Sequence, residues 1–174
     1  MMKLTAETNK LIKYLAYFLI IFVLSLVQEI PGLLPEIFSC VPLLAVAAAV
    51  SIALMEPELP AMLFGLEAGF FLDIGTSLPL GVCCIIMTVA CYLLSAVSQR
   101  HFDINIPSVA VGSVVTLGVI FAAFWLVSAV VPGYSQPLQV LVNRFLPMYV
   151  YTLLTVPVIF IINYGVFKGL EYAD

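Results

Sequence analysis

Long uncharged runs separated by brief charged or proline-rich breaks dominate the chain. Tyr14 to Val27 is apolar and follows Lys3, Lys10 and Lys13. Ile37 to Met55 is uncharged for 19 residues, and Ala61 to Leu72 is apolar apart from Glu67. Ile74 to Gln99 carries no charge over 26 residues, Ile104 to Asn143 none over 40, and Phe145 to Phe167 none over 23. A membrane-spanning helix needs about 20 apolar residues, so the 40-residue run is too long for one span. Pro132, Gly133 and Pro137 mark its break. The pattern predicts six spans, at roughly 13–29, 38–55, 59–73, 80–98, 108–131 and 145–167, in a single polytopic domain covering 1–174. The third is short, which tilt or local thinning of the bilayer would accommodate.

Composition agrees with that pattern. The chain is 64% hydrophobic and 9% charged, with mean hydropathy +1.21. Soluble domains carry about 25% charged residues, so the expected class is an all-α integral membrane protein. Six basic residues without a cluster give no footing for nucleic acid. The N-terminal run lacks a small-x-small cleavage site, since "QEIPGLLPE" follows it, and reads as an uncleaved first helix. With the N-terminus inside, Lys3, Lys10, Lys13, Arg100 and Lys168 are cytoplasmic and Arg144 alone is outside; the positive-inside rule therefore places both termini in the cytoplasm.

Small residues recur every fourth position in two neighbouring spans: Ala45, Ala49 and Ala53, then Ala61, Gly65 and Gly69. The sets mirror each other about Pro57, so an antiparallel hairpin would set 53 against 61, 49 against 65 and 45 against 69. Small residues let helix backbones approach closely in lipid. The reading is a packing seam between the second and third spans; chance in an alanine-rich segment and a stripe facing a partner are the alternatives.

Reactive chemistry is sparse. His101 is the single histidine, and neither GxSxG nor HExxH occurs. Cys40, Cys83, Cys84 and Cys91 form no CxxC, and three sit in one apolar segment, where cysteine behaves as a small hydrophobe. The expectation is a non-enzymatic protein without metal or cofactor. Three intramembrane polar residues stand out: Glu67, Asp73 and Arg144. An ionised carboxylate at mid-span costs on the order of 2.5–3.5 kcal/mol on insertion scales. Glu67 is either a proton or cation site or, the preferred reading, a hydrogen-bonded clamp to Thr152 or Thr155 of the last span. Asp73, beside Gly75 and Pro79, is a candidate partner for Arg144 on the outer side or a solvated helix end. "RHFD", Arg100 to Asp103, is a docking loop or simply solvated.

The stretch Phe64 to Leu94, "FGLEAGFFLDIGTSLPLGVCCIIMTVACYLL", resembles the signature of the rod-shape-determining MreD family: a glycine-bearing helix, an Asp, a short break, then Leu-Gly opening the next helix. Here these are Gly65 and Gly69, Asp73, Thr76 to Pro79, and Leu80-Gly81. Pro42 in the second span, Pro60 after the tight turn, Pro157 in the last span and the chain length are compatible with it. One departure is Thr76-Ser77 where the family often has Ser-Gly. The resemblance implies a fold similar to the substrate-binding subunits of energy-coupling-factor transporters. It implies a non-enzymatic component of the bacterial elongation machinery in the inner membrane, binding the single-span protein MreC. Through MreC it would link MreB filaments to RodA and its transpeptidase and so control cell shape. On this view Asp73 is an architectural residue at the break, and Phe70, Phe71 and Asp73 are candidate partner contacts. The alternative is a vitamin-binding subunit of such a transporter. The first span carries only Ala16 and lacks the Ala-xxx-Ala face that a coupling subunit would need, and the outer loops offer few groups to hold a ligand. A small transporter using Glu67 as proton carrier is the third reading.

Overall fold

The computed structural model describes residues 2–30, 32–33, 40–76, 79–101, 106–133 and 136–171. The described chain is helical: α1 (Met2–Glu29), α2 (Leu44–Met55), α3 (Glu58–Gly75), α4 (Val82–His101), α5 (Ile106–Trp125), α6 (Pro137–Val140) and α7 (Leu146–Glu171). α5 runs on through a wider π-type turn at Leu126–Val130, and a second such turn, Leu141–Phe145, joins α6 to α7. Among the described residues no strand occurs. Four helical segments, Thr8–Glu29, Val82–Arg100, Val111–Val130 and Pro137–Gly169, are long and apolar enough to cross a membrane. They mark the chain as a membrane protein.

The second predicted span differs most from expectation. It begins only at Leu44, and its 12 residues reach about 18 Å at 1.5 Å per residue, short of the ~30 Å hydrocarbon core. All twelve are buried. α2 is the central strut, in contact with α1, α3, α4, α5 and α7. Its alanines explain why: with one methyl group per residue, five neighbours can close in on every side. Its first turn has no capping side chain of its own. Other helices supply the acceptors: Leu43 N–H donates to Thr152 Oγ1 at 3.1 Å, and Ala45 N–H to Gln28 Oε1 at 3.2 Å. Such outside partners satisfy groups that every helix start leaves orphaned.

α3 packs most extensively on α4. The two glycines of α3 are the reason, and here the expected seam is corrected. A Cβ on Gly65 would stand 2.8 Å from the Met87 carbonyl oxygen and 2.9 Å from the Cys91 Cβ. One on Gly69 would stand 2.6 Å from the Cys84 Cα. The close approach these glycines allow is therefore to α4, not to Ala49 and Ala45 of α2. Ala45, Ala49, Ala53 and Ala61 are buried, and α2 does pack on α3. Periodicity identified the small faces correctly but assigned the glycine face to the wrong neighbour.

Polar contacts close one end of the bundle. Lys13 Nζ lies 2.8 Å from Glu56 Oε1, to which the Tyr17 hydroxyl also donates at 3.3 Å. The Glu56 carbonyl accepts from the Ser95 hydroxyl at 2.7 Å, and Ser98 donates to the Leu54 carbonyl at 3.1 Å. Lys13 also lies over the Phe167 ring, 5.2 Å from its centre. Lys13 and Tyr17 of α1, the α2–α3 turn and the ends of α4 and α7 thus share one end. Arg144 lies at the other, its carbonyl accepting from Cys40 Sγ ahead of α2.

Candidate functional site

Two of the three polar residues singled out from sequence, Glu67 and Asp73, lie on α3, where they occupy different faces; Arg144 lies in the turn before α7. Asp73 lies in the last turn of α3 and is 3% exposed. Its Oδ2 accepts N–H groups from Gly81 at 2.8 Å and Cys84 at 3.2 Å, and its Oδ1 accepts the Cys83 N–H at 2.9 Å. These belong to the residue before α4 and to its first turn. A helix start is normally capped by the side chain of its own N-cap residue. Gly81 has no side chain; its φ of +97° lies in the left-handed region that glycine adopts without strain. Asp73 supplies the missing acceptor from the preceding helix, and its charge sits at the positive end of the α4 dipole. Pro79 and Leu80 are exposed and Ser77 and Leu78 lie outside the described residues; the Pro79 carbonyl accepts the Val82 N–H at 3.3 Å.

Two expectations about Asp73 are corrected by this geometry. It does not pair with Arg144, because α3 makes no packing contact with α7 or the turn before it, and Arg144 is exposed. Nor is it turned outward to a partner, because both carboxylate oxygens are engaged with α4. Phe70 is the outward member of the proposed contact set, 51% exposed; Phe71 is half-buried against Phe22, with ring centres 5.5 Å apart.

Glu67 sits on the other face. The clamp to Thr152 or Thr155 is not formed: the Thr152 hydroxyl donates to the Met148 carbonyl at 2.8 Å while serving Leu43, and Thr155 donates to the Thr152 carbonyl at 2.7 Å. Glu67 instead lines a groove of about 900 Å³ between α1 and α3. The groove walls are apolar: Leu11, Leu15 and Phe18 on one side, Leu59, Leu63, Leu66 and Phe70 on the other. Both stripes follow the i, i+4, i+7 spacing of one helix face. Glu67 Oε1 is shut off from solvent and has no hydrogen-bond partner.

Sequence reasoning missed two polar centres. Glu56, which in sequence is simply part of the short acidic turn Met55 to Pro60, is 1% exposed and is the anchor of the Lys13 pair. Asn163, 0% exposed, donates to Ser51 Oγ and joins α7 to α2. An asparagine inside an otherwise apolar span was the available signal. Among the described residues, no cluster of three or more His, Cys, Asp or Glu could hold a metal ion. Phe102 to Asn105, which includes Phe102 and Asp103 of the candidate docking loop, lies outside the described residues.

The arrangement defines an all-helical membrane protein with a welded α3–α4 hairpin and a lateral groove beside it. No family model, curated protein or solved structure matches the chain.

Proposed function

We propose that this protein is a non-enzymatic, six-span component of a bacterial elongation complex, of the MreD type. It binds an MreC-type single-span protein and so helps couple MreB filaments to the RodA synthase and its transpeptidase. One observation carries the reading. The stretch with the family resemblance, Phe64 to Leu94, folds as a single hairpin, and its polar motif is spent on holding that hairpin rigid. Asp73 is committed to the α4 N-terminus and both glycines to the α4 backbone. What the hairpin offers outward is an apolar face with Phe70 and the groove. Helices recognise one another in lipid by such close packing and buried polar contacts.

The proposed orientation has both termini in the cytoplasm, with Lys13, Arg100 and Lys168 at the cytoplasmic end. A cysteine placed at Gln136 in a cysteine-free background should be labelled from outside the cell, and one at Gln99 should be spared. The opposite pattern would reverse the orientation. The function is tested by depleting the protein and scoring cell width alongside vitamin uptake. Loss of width control with normal uptake is expected. Impaired uptake with normal width would replace the reading by that of a vitamin-binding transporter subunit.

A further inference from the structure

Two buried side-chain oxygens among the described residues lack a hydrogen-bond partner: Asn163 Oδ1 and Glu67 Oε1. Asn163 is held inside the core by Ser51. Glu67 lies in the wall of the α1–α3 groove; its Oε1 is covered by this chain, but the side chain as a whole is partly exposed, and a molecule arriving from the bilayer meets it there. An unpaired polar atom shielded from water is costly and calls for a partner.

Position says what that partner is. Glu67 follows the start of α3 at Glu58 by nine residues and precedes its end at Gly75 by eight. At 1.5 Å per residue it lies about 13 Å from one end and about 12 Å from the other. Lipid headgroups, which carry the donors of a bilayer, sit at the ends; an acyl chain at this depth has none. A second copy of this chain docked groove to groove would set Glu67 against Glu67, two acids that repel when ionised and can pair only when protonated. A transmembrane helix meets both requirements. Its apolar side fits between the stripes of α1 and α3, and one polar side chain at mid-depth satisfies the carboxyl group.

We propose that the groove between α1 and α3 seats a single transmembrane helix of another protein, which sets a hydrogen-bonding Ser, Thr, Asn, Gln or Lys side chain against Glu67. This rests on the reading of the protein as a partner-binding component, and it names the face and the chemistry of that binding. Leu63 and Phe70 form the wall the helix packs on, and Glu67 fixes its depth and rotation.

The test uses the full-length chain in native membranes, with a photoreactive phenylalanine analogue at Leu63. Adducts are identified by mass spectrometry in backgrounds carrying Glu67, Glu67→Leu or Glu67→Gln. The expected adduct is to a transmembrane segment of a different protein, within one turn of a polar side chain. Its yield should fall about fivefold with Glu67→Leu, as for loss of one interhelical hydrogen bond worth about 1 kcal/mol, and recover with Glu67→Gln. Adducts to lipid alone, adducts to a second copy, or a yield unaffected by Glu67→Leu would each overturn the proposal. The identity of the captured protein is a separate result: an MreC-type helix supports the functional reading as well, and another helix supports the groove while removing that reading.

Discussion

Asp73 and Glu67 lie six residues apart on one helix and have opposite fates. Asp73 accepts three backbone N–H groups from the neighbouring helix, and neither oxygen is left over. Glu67 has a shielded oxygen with no partner, in a groove that opens away from the core. Both residues look alike in sequence, as acids in an apolar span. The difference lies in what their faces meet. The Asp73 face, shared with Gly65 and Gly69, meets a helix start whose N–H groups need an acceptor. The Glu67 face, shared with Leu63 and Phe70, looks onto the open groove beside α1. A carboxylate of the first kind holds the fold; one of the second kind is available for recognition.

If that division is right, damage to the inner face should cost stability, and damage to the outer face should cost only binding. The largest loss is expected from Gly69→Leu. Even a Cβ there would stand 2.6 Å from the Cys84 Cα, and backbone cannot move aside as a side chain can. Thermal unfolding in detergent should report a loss of about 3 kcal/mol or more, the upper range for overpacking. Gly165→Leu, where a Cβ meets nothing within 4 Å, is the control and should leave stability unchanged.

Next comes the polar node at the far end. Lys13→Met leaves Glu56, 2% exposed as a side chain, without its ion-pair partner. Breaking a buried pair from one side costs about 3 kcal/mol at the lower end of its usual range. Adding Glu56→Leu to the same chain should recover most of it. A double replacement as unstable as the sum of the two singles would mean that the pair is not coupled.

Asp73→Ala is expected to cost about 2 kcal/mol, as for loss of a strong helix cap. Asp73→Asn should cost less, since it keeps one acceptor oxygen. Exchanging the charges of Asp73 and Arg144 should rescue nothing. Restoration by that exchange would show that the two residues meet after all. The smallest loss belongs to Glu67→Leu, which removes an unpartnered acid and should leave stability at or above that of the parent. A loss as large as that of Asp73→Ala would abolish the contrast between the two acids.

The helices were legible because an uncharged run of bilayer length must be a helix to satisfy its own backbone. Four of the six predicted stretches coincide with helices long and apolar enough to cross a membrane; α3 is helical over Glu58–Gly75 but is not one of the four, and α2 is shorter because Cys40 to Leu43, with Pro42 among them, are not helical. The cap at Asp73 was hidden for a physical reason. Its partners are backbone N–H groups, which every residue carries, so no residue type advertises them. The glycine spacing of α3 revealed a close-packing face, but a period of four residues says nothing about which neighbour lies against it. Lys13 and Glu56 are 43 positions apart, and only the packing of α1 across the α2–α3 turn brings them to 2.8 Å. The groove arises the same way, from two stripes on helices that are not adjacent in sequence.

The central claim, that a rigid hairpin presents its free face to a single-span partner, is most directly tested by co-purification. The protein should be isolated from its own membranes in mild detergent, and both bound proteins and bound small molecules identified by mass spectrometry. An MreC-type protein in near-equal amount, reduced about fivefold on Glu67→Leu and reduced on widening Leu63 to Trp while the fold stays intact, is the expected result. A tightly bound vitamin with no MreC-type protein in the preparation would contradict the account.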